Sequence, residues 1–300
     1  MSDGTRAFVE QATRLRDRSG VASPRHDAAA LLAFVLEMSP SELHRGTEPL
    51  AAHVLAAASS LVERRASREP LQHLTGVAGF RYLDIRVGPG VFVPRPETEL
   101  LAGAAVEEFG RLVGAGVRHP VAVDLCTGSG AVAASLATEV PQARVSAVEL
   151  SEEAHAFAVL NATSVGVDVR LGAMADAVDD LAGTVHVVTA NPPYIPLGEF
   201  ESVEPEARDH DPGQSLWAGQ DGLEAIRVVA EVAARLLVDG GLVLCEHADV
   251  QHESAPQIFI RARTWSAVRD HPDLAGRPRF VSARRVARSA PSGAHPRLAP

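Results

Sequence analysis

Between Thr5 and about Glu69 the apolar residues recur at helical spacing: Phe8, Ala12 and Leu15; Ala29, Leu32, Phe34 and Leu36; Val54, Leu55, Ala58 and Leu61. Ser23-Pro24 and Ser39-Pro40 each set an N-cap candidate before a proline suited to the first helical turn, and Pro49 precedes the third run. This predicts a small helical bundle over residues 1–76. GFRYLDIRVG, at 79–88, alternates large and polar residues as a hairpin does, so 77–100 reads as a hairpin and linker. From Val121 the period changes. VAVDL (121–125), RVSAV (144–148), VDVRL (167–171), VHVVTA (185–190) and GLVLCE (241–246) are short β-branched runs spaced for βαβ units. They predict an α/β domain over 101–286, with an open, mainly parallel sheet covered by helices on both faces. The last two runs, TWSAVRD (264–270) and RFVSARRV (279–286), are joined by HPDLAGRP, too short for a crossover helix, which predicts an antiparallel pair.

Composition narrows the chemistry. The 300 residues suffice for about two domains, and 46% apolar against 22% charged residues is the balance of a chain with a sizeable core. All 28 cations are arginine. Without lysine, a Walker-type phosphate loop and a protein-borne Schiff base are both excluded. The only cysteines, Cys126 and Cys245, sit in apolar runs and build neither a disulfide scaffold nor a multi-cysteine metal site, so no metal is expected. Asp3 and Glu10 interrupt the start where an export signal needs an apolar stretch, and no apolar run reaches the ~18 residues of a membrane span. A cytoplasmic protein with no membrane partner is expected.

Charge is uneven. Residues 261–300 hold nine arginines against Asp270 and Asp273, a local +7 that leaves −17 on the first 260 residues. So acidic a body repels phosphate backbones, and direct nucleic-acid binding is not expected. The terminal RSAPSGAHPRLAP has little to bury, and 287–300 is predicted to be a disordered tail.

The first β-run ends in Asp124 and is followed by Leu125-Cys126-Thr127-Gly128-Ser129-Gly130 before a helix starting near Ala131. Glycines there let the backbone approach a ligand, and the helix N-terminus offers free N–H groups. Glu149 ends the second run, 19 residues after Gly130, where a carboxylate accepts the hydroxyls of an adenosyl ribose. These residues alone do not separate a nicotinamide dehydrogenase from a methyltransferase, since Gly128-x-Gly130-x-x-Ala133 satisfies both patterns.

Asn191-Pro192-Pro193-Tyr194 follows the fourth run directly. Consecutive prolines extend the backbone and leave the Pro192 carbonyl without a local donor. Asn191 adds a side-chain carbonyl and Tyr194 an aromatic wall. Two acceptors beside a stacking surface, at the carboxyl edge of a parallel sheet, suit a planar NH2 group. Accepting both of its hydrogens would fix the nitrogen without an ionised base. His210, His247 and His252 are therefore read as solvated or capping histidines.

DLCTGSG, Glu149 and NPPY together resemble the class I S-adenosylmethionine-dependent methyltransferases of planar amino groups. With FVPRPETELL (92–101) and EHAD (246–249) the chain resembles the PrmC/HemK family of protein-glutamine methyltransferases, over nearly its whole length to about residue 286. The resemblance implies a Rossmann-like, mainly parallel seven-stranded sheet with an antiparallel last strand, preceded by the helical bundle as substrate dock. It implies S-adenosylmethionine as cofactor, S-adenosylhomocysteine as product and no metal. Asp124, Cys126, Thr127, Gly128, Ser129, Gly130, Glu149, Met174 and Asn191 would bind the cofactor; Asn191, Pro192, Pro193 and Tyr194 would bind substrate, with Asn191, Pro192 and Tyr194 catalytic. The substrate implied is the glutamine of the Gly-Gly-Gln loop in class-1 peptide-chain release factors, and a monomer is expected. The chain departs from the family pattern after its third run. Gly172-Ala173-Met174-Ala175 holds no acid for the adenine before Asp176, which leaves Met174 to pack on the ring and a weaker cofactor affinity or Asp176 substituting through a shifted loop as the alternatives. Arg95, flanked by prolines, is expected to shape the domain joint or to pair with Glu97 or Glu99. The alternatives are an adenine-specific nucleic-acid methyltransferase, which shares NPPY, a nicotinamide oxidoreductase, which shares the glycine turn, and a non-catalytic protein-binding relative.

Overall fold

The computed structural model describes residues 3–17, 19–45 and 49–287. Apart from Ala287, the tail expected at 287–300 lies outside the described residues. The chain forms two compact units: Met1–Gly79 with Asp84–Val93 and Glu199–Gly213, and Phe80–Leu83 with Pro94–Gly198 and Gln214–Pro300.

The first unit contains α1 (Asp3–Asp17), α2 (Pro24–Val35), α3 (Pro40–Arg45), α4 (Ala52–Ala66) and α5 (Leu71–Thr75). Phe8, Val9, Ala28, Leu31, Leu32, Ala58 and Val62 form its core. Within the apolar run of α2, residues 28, 31 and 32 make the inward stripe, so Phe34 turns outward and is 45% exposed. The two serine-proline starts differ. Ser23 makes no side-chain capping bond. At α3 the Glu42 N–H donates to Ser39 Oγ (3.3 Å) and the Ser39 N–H to Glu42 Oε2 (2.8 Å), a reciprocal capping box. The expected hairpin is present as β1 (Val77–Phe80) and β2 (Leu83–Arg86).

The second unit continues through α6 (Thr98–Gly114), β3 (Val121–Leu125), α7 (Ala131–Glu139), β4 (Arg144–Glu149), α8 (Glu152–Ala162), β5 (Asp168–Leu171) and β6 (Val185–Ala190). After β6 the chain enters the 199–213 segment and its short helix α9 (Pro205–His210). This segment groups with the helical unit, whereas the sequence pattern assigns all of 101–286 to the second domain. Ion pairs join the segment to α4. Arg65 donates to Asp27 Oδ2 (2.7 Å) and Glu206 Oε1 (2.8 Å), while Arg68 pairs with Glu206 and Glu204. The chain then returns to the second unit through α10 (Glu224–Leu236), β7 (Leu237–Glu246), α11 (Ser254–Arg261), β8 (Trp265–Pro272) and β9 (Pro278–Arg285).

The sheet has seven strands in the order β5-β4-β3-β6-β7-β9-β8. β5 through β7 are parallel, and β9 runs antiparallel to both β7 and β8. Val123, Leu125, Val188, Val243, Cys245 and Val281 of the sheet pack with Ile226, Val229, Ala233 and Leu236, one stripe of α10. The strand order reverses between β3 and β6, where open α/β sheets hold ligands.

Candidate active site

Register assembles the site. Leu125 of β3 lies opposite Val148 of β4 and Ala190 of β6, and Ala190 lies opposite Cys245 of β7. The next residue on each strand continues the row at the carboxyl edge: Glu149, Cys126, Asn191 and Glu246. Neighbouring strands are ~4.8 Å apart, so two separate sequence motifs become adjacent.

On one side of that row lies the glycine turn. Cys126, Gly128 and Gly130 all have positive φ, of 57°, 57° and 80°. A Cβ on Gly130 would meet Ala158 Cα at 3.1 Å, so α7 and α8 pack too closely there for any side chain. A Cβ on Gly128 would meet nothing within 4 Å, so its backbone faces open space. Asp124 holds the turn from below: Thr127 Oγ1 donates to its Oδ2 (2.6 Å) and Thr189 Oγ1 to its Oδ1 (2.7 Å). Burial raises the Asp124 pKa to about 6, against the lowering effect of those hydroxyls. Asn161 Nδ2 donates to the Ser129 carbonyl at 2.9 Å. Glu149 accepts three backbone N–H groups, from Gly128 (2.8 Å), Leu150 (2.9 Å) and Ser151 (2.9 Å). The carboxylate is thereby oriented before any ligand arrives. Met174 Sδ lies 3.8 Å from Cys126 Sγ, while Asp176 is exposed.

On the other side, Asn191 Nδ2 donates to Thr98 Oγ1 (3.3 Å), and Thr98 Oγ1 donates to Glu246 Oε2 (2.7 Å). Tyr194 donates its hydroxyl to Glu246 Oε1 at 3.2 Å. Among the described residues neither the Asn191 Oδ1 nor the Pro192 carbonyl accepts a hydrogen bond. Gln251 clamps the loop from behind, its Nε2 donating to the carbonyls of Tyr194 (2.9 Å) and Gly222 (3.3 Å). Gly222 has φ +71°, and a Cβ there would stand 2.3 Å from the Tyr194 carbonyl oxygen. Beyond the prolines, Ile195 N donates to the Leu216 carbonyl and Ala218 N to the Ile195 carbonyl, both at 2.9 Å. Burial raises the Glu246 pKa to about 7, and burial followed by the nearby Glu246 pushes the Tyr194 phenol up.

Residues 7–76 match the PrmC N-terminal domain family and residues 112–201 the methyltransferase small domain family. Over 280 residues the chain is 50% identical to a release factor glutamine methyltransferase of Streptomyces coelicolor, covering 93% of this chain and 98% of that one. The chain belongs to the release factor glutamine methyltransferase family.

A second relative has a different substrate in its name. It is the 4-amino-L-phenylalanine/4-methylamino-L-phenylalanine methyltransferase of Streptomyces pristinaespiralis, 39% identical over 88% of this chain and 90% of its own. The solved catalytic domain of hMettl16 shares the fold, at 13% identity and a TM-score of 0.52, over 68% of this chain and 75% of that one. The sheet order and these matches identify a class I methyltransferase fold behind a helical N-terminal region.

Within this methyltransferase family fold, the sequence motifs supply the front of the site and miss its support. Gln251 and Gly222 carry no motif signal of their own, and Thr98 and Glu246 were visible only as parts of FVPRPETELL and EHAD. His247 is not solvated: its ring is buried, with Nδ1 2.8 Å from the Ala248 carbonyl and Nε2 3.1 Å from Asp270 Oδ1. Glu97, one of the acids near Arg95, approaches Arg279 at 3.9 Å. Among the described residues no group of three or more His, Cys, Asp or Glu side chains is placed to hold a metal, and no helix is long and apolar enough to cross a membrane.

Proposed function

We propose that the chain transfers the methyl group of S-adenosylmethionine to the side-chain amide nitrogen of the glutamine in the Gly-Gly-Gln loop of class-1 peptide-chain release factors. It does so in the cytoplasm, as a monomer, without metal, nucleic acid or membrane. One observation carries the reading of the site: two acceptors without donors, Asn191 Oδ1 and the Pro192 carbonyl, share a sheet edge with the Glu149 carboxylate and the open Gly128 backbone.

The residues present fit S-adenosylmethionine. Glu149 would take the ribose hydroxyls. Cys126 to Gly130, braced by Asp124, would cradle the methionine end, and Met174 would pack on the adenine. When bound, that cofactor supplies an electrophilic methyl group on a sulfonium.

An amide nitrogen is a weak nucleophile because its lone pair is delocalised into the carbonyl. Asn191 and Pro192 accept its two N–H hydrogens, hold the nitrogen in place and direct its electron density at the methyl carbon. Tyr194, its hydroxyl tied to Glu246, walls the approach. With the cofactor bound, its sulfonium would supply the methyl group to the nitrogen and leave as the neutral thioether, and the surplus proton on the nitrogen would be lost to solvent. No side chain has to act as a base.

The relative that acts on 4-aminophenylalanine favours one second reading, since an aryl NH2 satisfies the same two acceptors. Incubation with labelled S-adenosylmethionine and either a class-1 release factor or 4-aminophenylalanine, followed by peptide mapping, separates them. Label on the Gly-Gly-Gln glutamine is the expected result. Label on the small amine alone would replace the proposed substrate.

A further inference from the structure

We propose that Glu246, acting through Thr98, sets which way the Asn191 side-chain amide faces, and is therefore a positioning residue for methyl transfer. The inference rests on Asn191 being the acceptor of the substrate amide.

The argument is one of proton direction. Thr98 has a single hydroxyl proton and lies between Glu246 Oε2 (2.7 Å) and Asn191 Nδ2 (3.3 Å). An ionised carboxylate only accepts, so the Thr98 proton is committed to Glu246 and its oxygen is left to accept from Asn191. Asn191 must then turn its NH2 inward and its carbonyl outward, the orientation that receives an N–H donor. A neutral Glu246 removes that constraint. Its acid proton can be donated to Thr98, whose own proton then turns towards Asn191 and favours the flipped amide. A flipped Asn191 presents NH2 to a substrate NH2, two donors face to face.

The rest of the surroundings hold Glu246 in place for this task. Its other oxygen accepts from Tyr194 at 3.2 Å, so both arms of NPPY hang on one buried carboxylate. Arg279 of β9 favours the ionised form, and Glu97, just before α6, favours the neutral one. Arg279 is in turn held by Asp273 (3.3 Å) and lies near Glu97. Cys245, the preceding residue on β7, is wholly buried and its thiol is pushed up, so it adds no charge. The balance, dominated by burial, places Glu246 at about 7. Within the working range of a cytoplasmic enzyme, then, the Asn191 acceptor is set correctly at higher pH and lost at lower pH.

The test compares wild type with Glu246→Gln, Thr98→Val, Thr98→Ser and Asn191→Ala, measuring kcat for release-factor methylation from about pH 6 to about pH 8.5. Cofactor Kd is read by calorimetry and folding by Tm. Wild-type kcat should rise through about pH 7. Glu246→Gln and Thr98→Val should each lower kcat by about tenfold or more and flatten that rise, with cofactor Kd within about twofold. Thr98→Ser keeps the hydroxyl and should restore both rate and pH profile. Wild-type kcat and an intact acidic limb in Glu246→Gln or Thr98→Val would overturn the proposal. So would Thr98→Ser being as impaired as Thr98→Val, which would make the site one of packing. Should Glu246→Gln fail to fold, the Thr98 pair decides. Turnover by Asn191→Ala would remove the reading of Asn191 itself; an inactive Asn191→Ala beside an unaffected Thr98→Val would remove only the relay.

Discussion

The two sides of the site are held by different kinds of contact. Around the glycine turn several partners are local, Thr127 three residues from Asp124 and Leu150 and Ser151 beside Glu149, while Gly128 lies 21 residues from Glu149 and Thr189 65 from Asp124. Around NPPY they are remote: Thr98 is 93 residues from Asn191, Glu246 52 from Tyr194 and Gln251 57 from Tyr194. Backbone amides orient the first carboxylate. Buried side chains orient the acceptors on the other side. A turn of fixed backbone geometry can organise itself, whereas a proline-stiffened loop with no internal hydrogen bonds takes its orientation from whatever packs behind it.

This contrast can be broken by substitution. Asn191→Ala should reduce methyl transfer by about 10²–10³-fold, the scale of losing one aimed hydrogen-bonding group at a reacting centre, with cofactor binding kept. A labelled-methyl assay beside calorimetry checks it; a matching loss of cofactor affinity would mean that the two sides are not separable. Glu149→Ala should raise the cofactor Kd by roughly tenfold or more through lost charge-assisted hydrogen bonds. Unchanged calorimetry would take Glu149 out of the site. Gly222→Ala is the smallest and the most telling. Its positive φ and the 2.3 Å approach to the Tyr194 carbonyl oxygen should cost about 1–3 kcal/mol of stability. It should lower kcat several-fold and leave the cofactor Kd alone, although Gly222 touches neither ligand. A Tm shift without any change in kcat would show that the NPPY loop does not depend on its rear clamp.

Periodicity alone marked the strands well. VAVDL and VHVVTA match β3 and β6 end to end, because each is a β-branched run closed by a turn residue. β7 begins four residues earlier than its apolar run, at Leu237, which pairs with Val185 of β6; the register then shifts across 238–241, and regular pairing resumes at Leu242 opposite Val187. The exposure of Phe34 and the burial of His247 were not legible in the sequence, for one reason. Which face of a helix is covered, and whether an edge residue is buried, depend on neighbours far along the chain. The 199–213 segment groups with the helical unit, where Arg65 and Arg68 meet Glu206.

By itself the sequence determined the βαβ repeat, the antiparallel end, the glycine turn with its paired Glu149, and the two acceptors of NPPY. Each is a local rule of period, steric freedom or missing donors. Only the tertiary structure decided that Cys126, Glu149, Asn191 and Glu246 form one row, because register is a property of strand pairs. Only it joined Asn191 to Glu246 through Thr98, because a buried hydroxyl acquires a proton direction from the groups that folding places on either side of it.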